Sequence, residues 1–63
     1  MNEENCIEFI KEQFKGVNEE LLGIDERKEL YGRCRDYCEQ EGIKGVQFDM
    51  LWNRAMFQIK AGI

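Results

Sequence analysis

The apolar positions of the chain come in stripes whose spacing changes only at glycines. From Asn2 to Lys15, Cys6, Ile7, Ile10 and Phe14 gather on one side of a 3.6-residue wheel, with Phe9 at the margin and Glu8, Lys11, Glu12 and Lys15 on the other side. This pattern predicts an amphipathic helix over residues 2–15, stopped by Gly16 in the position just past a helix end. Asn18 can cap a one-turn connector, Glu19-Glu20-Leu21-Leu22, whose acids suit a helix N-terminus and which Gly23 closes. A second helix is expected over 25–41, with Asp25 as N-cap, Glu26 in the first turn and Gly42 after its end. Its stripe is Leu30, Tyr31, Cys34, Tyr37 and Cys38. Gly42-Ile43-Lys44-Gly45 reads as a tight turn, and a third helix follows over about 47–61, starting between Val46 and Asp49.

The third helix differs from the other two in having two apolar sides. Phe48, Leu51, Trp52, Ala55, Met56 and Ile59 span roughly 140° of the wheel and form a core face. Met50, Phe57 and Ala61 lie nearly opposite. Asp49, Asn53 and Lys60 separate the two sides on one flank, and Arg54 and Gln58 on the other. The expected fold is all-α: a single small three-helix domain over 1–63, with a short helical connector between helices 1 and 2. Its expected core is Ile7, Ile10, Phe14, Leu30, Cys34, Tyr37, Phe48, Leu51, Trp52, Ala55 and Ile59.

Composition narrows the chemistry. With 63 residues the domain buries only about 60% of its unfolded surface, which argues against a deep cleft. The chain has no His, Ser, Thr or Pro, so Ser–His and Cys–His nucleophilic pairs, histidine acid/base chemistry and histidine metal sites are excluded. Surface carboxylates, lysines and tyrosines without a pocket are no substitute, and the protein is not expected to be an enzyme. Cys6, Cys34 and Cys38 are too few for a secreted disulfide framework, and a structural zinc site wants a fourth ligand, usually within a Cys-x2-Cys knuckle. The expectation is buried free thiols acting as small hydrophobes in a reducing compartment, with no metal and no cofactor.

The net charge of −4 is unevenly spread: residues 1–26 carry eight acids and two bases, whereas 27–63 carry seven bases and five acids. An acidic chain of this kind repels nucleic-acid phosphates and suits a partner with a basic surface. The polar start Met1-Asn2-Glu3-Glu4-Asn5 lacks an export signal, and no apolar run reaches membrane-spanning length, so a cytoplasmic location is expected, with no membrane partner.

The second stripe of helix 3 carries the functional expectation, because a three-helix domain cannot easily cover both sides of its last helix. One reading covers Met50 and Phe57 with the connector Leu21-Leu22-Gly23-Ile24 or with the N-terminus. The preferred reading leaves them exposed for another protein: Met50, Phe57 and Val46 enter a groove, and Arg54 and Asn53 set orientation. The chain is then a small acidic protein-binding module, a regulator or inhibitor that docks its C-terminal helix on a larger partner. The alternatives are a structural homodimer and a dimeric helix-turn-helix-like DNA-binding regulator. Residues 34–53 partly fit the latter through Cys38, Gly42, Ile43, Phe48 and Leu51. Glu41 stands where that motif wants an apolar residue, and the reading face Lys44, Gln47, Asp49, Asn53 holds one base and one acid, so nucleic acid is the less favoured partner. Trp52 is assigned to the core, and Tyr31 and Tyr37, at the edges of the stripe of the second helix, are given no chemistry.

Overall fold

The computed structural model of the chain describes residues 2–62; Met1, Ile63 and the Glu19 side chain lie outside that description. Helix α1 runs Asn2–Gln13, a 3-10 turn covers Glu19–Leu21, α2 runs Ile24–Gln40 and α3 runs Val46–Ala61. Three helices joined by short connections form an all-α domain, as the stripes predict.

The helix ends follow from local backbone chemistry. α1 stops two residues before Lys15 because its last turn tightens: the amides of Phe14 and Lys15 donate to Lys11 and Glu12, each three residues back, at 3.2 Å. Asn18 caps the connector, its Oδ1 accepting from the Glu20 amide at 3.1 Å. The N-cap of α2 is Gly23 rather than Asp25. Gly23 is extended (φ −75°, ψ 167°) and its carbonyl accepts from the Arg27 amide at 3.0 Å, which brings Ile24 into the helix. Asp25 and Glu26 then lie inside the first turn, where their charge meets the positive end of the helix dipole.

Between α2 and α3 the chain turns on Gly42, at φ 85°. The Ile43 amide donates to the Cys38 carbonyl at 2.8 Å and the Gly42 amide to Glu39 at 3.0 Å, the paired bonds of a Schellman end. This geometry drives Ile43 inward to 3% exposure, so the turn contributes a core residue that lies outside the helical stripes. Gly45 follows with φ 65° and ψ −136°, a conformation open to glycine, and its carbonyl receives the first amide of α3 from Asp49.

α1 packs against both other helices. Asn2 Nδ2 donates to the Glu41 carbonyl (2.9 Å) at one end and Arg33 to Gln13 (3.2 Å) toward the other, so α1 and α2 are antiparallel. Gln47 bonds Glu3 and Lys11 bonds Gln58, both at 3.3 Å, so α1 and α3 are parallel. Cys6, Ile7, Ile10, Phe14, Cys34, Cys38, Ile43, Phe48, Leu51 and Ala55 are buried. Leu30, Tyr37, Trp52 and Ile59, expected in the core, are half-buried at its edge together with Phe9, Leu22, Tyr31 and Met56. The body measures 31 × 25 × 17 Å. Its thin dimension is less than two helix diameters, which explains why long side chains reach the rim.

Candidate functional site

The outer face of α3 is held in place from both flanks. On the α1 side the bonds from Gln47 to Glu3 and from Lys11 to Gln58 fix the helix rotation. On the α2 side the Tyr31 hydroxyl donates to Asp49 Oδ1 at 3.1 Å, and its ring meets Phe48 and Trp52 edge-on at centroid distances of 5.2 and 4.9 Å. Burial and the bond to Asp49 both push the Tyr31 hydroxyl above its usual phenol range. With Phe48, Leu51 and Ala55 turned inward, the helical period turns Val46, Met50 and Phe57 outward, at 76%, 61% and 67% exposure.

Among the described residues neither the connector nor the start of α1 covers this stripe, and Met1 lies outside the description. Leu21 and Ile24 are themselves 80% and 73% exposed, and Leu22 packs on the core instead. Periodicity does not reveal these two exposed residues, because Leu21 ends the 3-10 turn and Ile24 opens α2, and neither falls on a repeating stripe. Asn53 and Arg54 are also exposed, as is Ala61 at the end of the stripe. Met50 and Phe57, seven residues apart, lie about 10.5 Å apart along the helix axis, with Arg54 beside the line between them. Arg33 pairs with Glu29 at 3.5 Å and Arg35 with Glu39 at 3.8 Å. Arg54 has no such partner among the described residues.

The residues of the helix-turn-helix reading come together differently. Asp49 accepts from Tyr31 and Gln47 donates to Glu3, so half of the presumed base-reading set is engaged within the chain. Lys44 and Asn53 remain exposed, a single cation and a single amide.

The thiols of Cys6, Cys34 and Cys38 are free and buried. Burial pushes the Cys34 thiol up to about 11, and burial together with a hydrogen bond to Cys6 pushes Cys38 up to about 12. Thiols so placed are protonated at neutral pH and act as small apolar groups. Among the described residues no three Cys, Asp or Glu side chains are arranged to hold a metal ion. Tyr37 stacks on Phe9 with ring centroids 4.1 Å apart, and Trp52 meets Phe14 at 5.8 Å, so the remaining aromatic rings serve the helix contacts. The depression of about 290 Å³ between the connector and α2 is lined by Val17, Leu22, Glu26, Glu29, Leu30 and Arg33, with no nucleophile and base side by side. No helix among the described residues is long and apolar enough to cross a membrane. Comparison of the chain with protein-family models, with curated proteins and with solved structures gives no match.

Proposed function

We propose that this chain is a protein-binding module that works as a small regulator or inhibitor, docking the outer face of α3 on a larger protein. One observation carries the reading: Val46, Met50 and Phe57 stand open along one line of a helix whose opposite side builds the core. An apolar stripe held rigid costs little entropy when it is covered, so its burial converts efficiently into affinity. Anchors at i, i+4 and i+11 suit a helix lying in a groove. The exposed acids Glu4, Glu8 and Glu12 of α1 add a negative face that speeds encounter with a basic surface.

The test is a Met50→Glu, Phe57→Glu double variant, compared with wild type by circular dichroism and by binding to proteins captured from the producing cell. Both side chains are largely in water, so the helical spectrum and melting temperature should stay close to wild type while binding is lost. A variant that unfolds would assign the pair to stability instead, and one that binds as before would remove the face from the function.

A further inference from the structure

Three thiols lie in the core, on two facing helices, and the docking reading uses none of them. The antiparallel register of α1 and α2 decides which two meet. Asn2 bonds Glu41 near one end, Phe9 stacks on Tyr37 in the middle and Gln13 bonds Arg33 toward the other end. Between these contacts Cys6 falls level with Cys38, and Cys34 lies one turn further along α2. The side chains agree with the register: the Cys38 thiol donates a hydrogen bond to the Cys6 sulfur, and both residues are fully buried.

We infer that Cys6 and Cys38 form a redox-sensitive fastener: a disulfide between them, closed by exchange with a small disulfide such as oxidised glutathione, ties α1 to α2 and stabilises the body. Cys34 is the competing partner for Cys38. Four residues apart on one helix, the Cβ atoms of those two stand about 5–6 Å apart, whereas a disulfide needs about 3.5–4.5 Å. Joining them would distort α2 and close a loop too short to constrain the fold.

The place of α1 in the body gives the bond its effect. α1 packs against both other helices, so its detachment opens the whole core. The side-chain bonds that hold its start, from Asn2 to Glu41 and from Gln47 to Glu3, are exposed to water. A domain of this size has little net stability, the range in which natural small scaffolds carry a covalent staple.

While the body is closed, burial shields both thiols and they fill the core as apolar groups. Local detachment of the first turns of α1 brings them to solvent. The Cys6 thiol then loses its proton to water, and its thiolate attacks one sulfur of the small disulfide. The S–S bond of the reagent breaks, one small thiolate leaves and takes up a proton, and a mixed disulfide forms on Cys6. The Cys38 thiol likewise gives its proton to water, its thiolate attacks the Cys6 sulfur, and the second small thiolate leaves and is protonated. The cysteine pair has lost two electrons and two protons, and the small disulfide has become two thiols. A reducing thiol pool reverses the exchange.

The experiment incubates the reduced full chain with oxidised glutathione at mildly alkaline pH, quenches with acid, and measures mass, disulfide position and thermal midpoint. Trypsin cuts after Lys11, Arg33, Arg35 and Lys44, which puts the three thiols on separate peptides. The inference predicts a chain lighter by two hydrogens, with peptides 1–11 and 36–44 joined until reduced. The midpoint should rise by about 10 °C or more, because the bond closes a loop of about thirty residues. Cys34→Ala should behave in the same way, and Cys6→Ala should show neither the mass loss nor the shift. The wild-type peptide map decides the pairing even where a variant folds poorly. Thiols that stay reduced or only carry attached glutathione in the folded chain, while the urea-unfolded chain forms disulfides, overturn the inference. So does a bond to Cys34 or between two chains. A Cys6–Cys38 bond that leaves the midpoint unchanged or lowers it overturns it too, because the pair then fastens nothing.

Discussion

Two glycines ten residues apart on α2 and its end predict opposite responses to the same substitution. Gly42 has φ 85°, and its left-handed backbone makes the paired bonds from Ile43 to Cys38 and from Gly42 to Glu39 possible. A Cβ added there meets no atom within 4 Å, so the cost of Gly42→Ala is confined to the backbone, about 1–2 kcal/mol for an L-residue in that region. Part of it, about 0.4–1 kcal/mol, is offset because alanine restricts the unfolded chain, leaving a net loss near 1 kcal/mol. Gly32 lies inside α2 with ordinary helical backbone, and its added Cβ also meets nothing within 4 Å. There alanine gains the helix-propensity difference, about 0.8–1 kcal/mol, at no steric cost.

The two single variants should therefore differ by about 2 kcal/mol, a factor of roughly 30 in the folding equilibrium. For a domain of this size about 1 kcal/mol moves the midpoint by about 4–8 °C, so Gly32→Ala melts that much above wild type and Gly42→Ala that much below. The sites are about 15 Å apart along the helix, so the double variant should return to about the wild-type midpoint. Thermal and urea melts followed by helical circular dichroism measure all four proteins, with an unchanged urea slope confirming that only stability moved. Shifts of the same sign in both single variants would refute the assignment of α2's end to Gly42.

Two further outcomes follow from the core. Phe48, at 1% exposure and in ring contact with Tyr31 and Trp52, should cost about 3–5 kcal/mol when replaced by alanine. That matches much of the ~3–9 kcal/mol a domain of this length holds, so Phe48→Ala should be largely unfolded at 37 °C by circular dichroism, and a midpoint within a few degrees of wild type would refute its central place. The thiols of Cys34 and Cys38, raised to about 11 and 12 from an ordinary value of 9.0, stay protonated in the folded protein at pH where the unfolded chain has lost those protons. Their stabilisation is complete below about pH 9 and falls as pH rises from there toward 11, by up to about 1.4 kcal/mol per pH unit for each thiol. Urea melts between pH 8 and 10.5 under reducing conditions should show this slope, and a Cys34→Ala, Cys38→Ala variant with an equally steep slope would rule the thiols out as its source.

Much of the architecture is legible in the stripes because a helix that must bury one face writes its period into the chain. Three helices, the Gly42 stop of α2 and the Asn18 cap are readable in the sequence, whereas α1 ends at Gln13, short of the expected stop at Gly16. The end of α1 and the start of α2 are less so: whether the last turn tightens and whether Gly23 or Asp25 caps are decided by small differences in backbone bonding. Ile43 shows the limit most clearly, since a residue between two glycines has no periodic neighbours, and only the Schellman bonds reveal that it points inward.

The candidate site divides along the same line. By itself the sequence determines that α3 has two apolar sides, that Arg54 and Asn53 fall beside the second, and that the chain holds three thiols and no histidine, serine or threonine. Which apolar side the body uses, and whether the Leu21-Leu22-Gly23-Ile24 stretch folds over the other, depends on contacts between residues distant in the chain. Tertiary structure decides it through the antiparallel α1–α2 pair, the bonds tying both flanks of α3 to its neighbours, and a connector that packs Leu22 on the core and leaves Leu21 in water. The physical reason is that periodicity encodes the direction of each side chain relative to its own helix, whereas exposure depends on what other elements place in front of it.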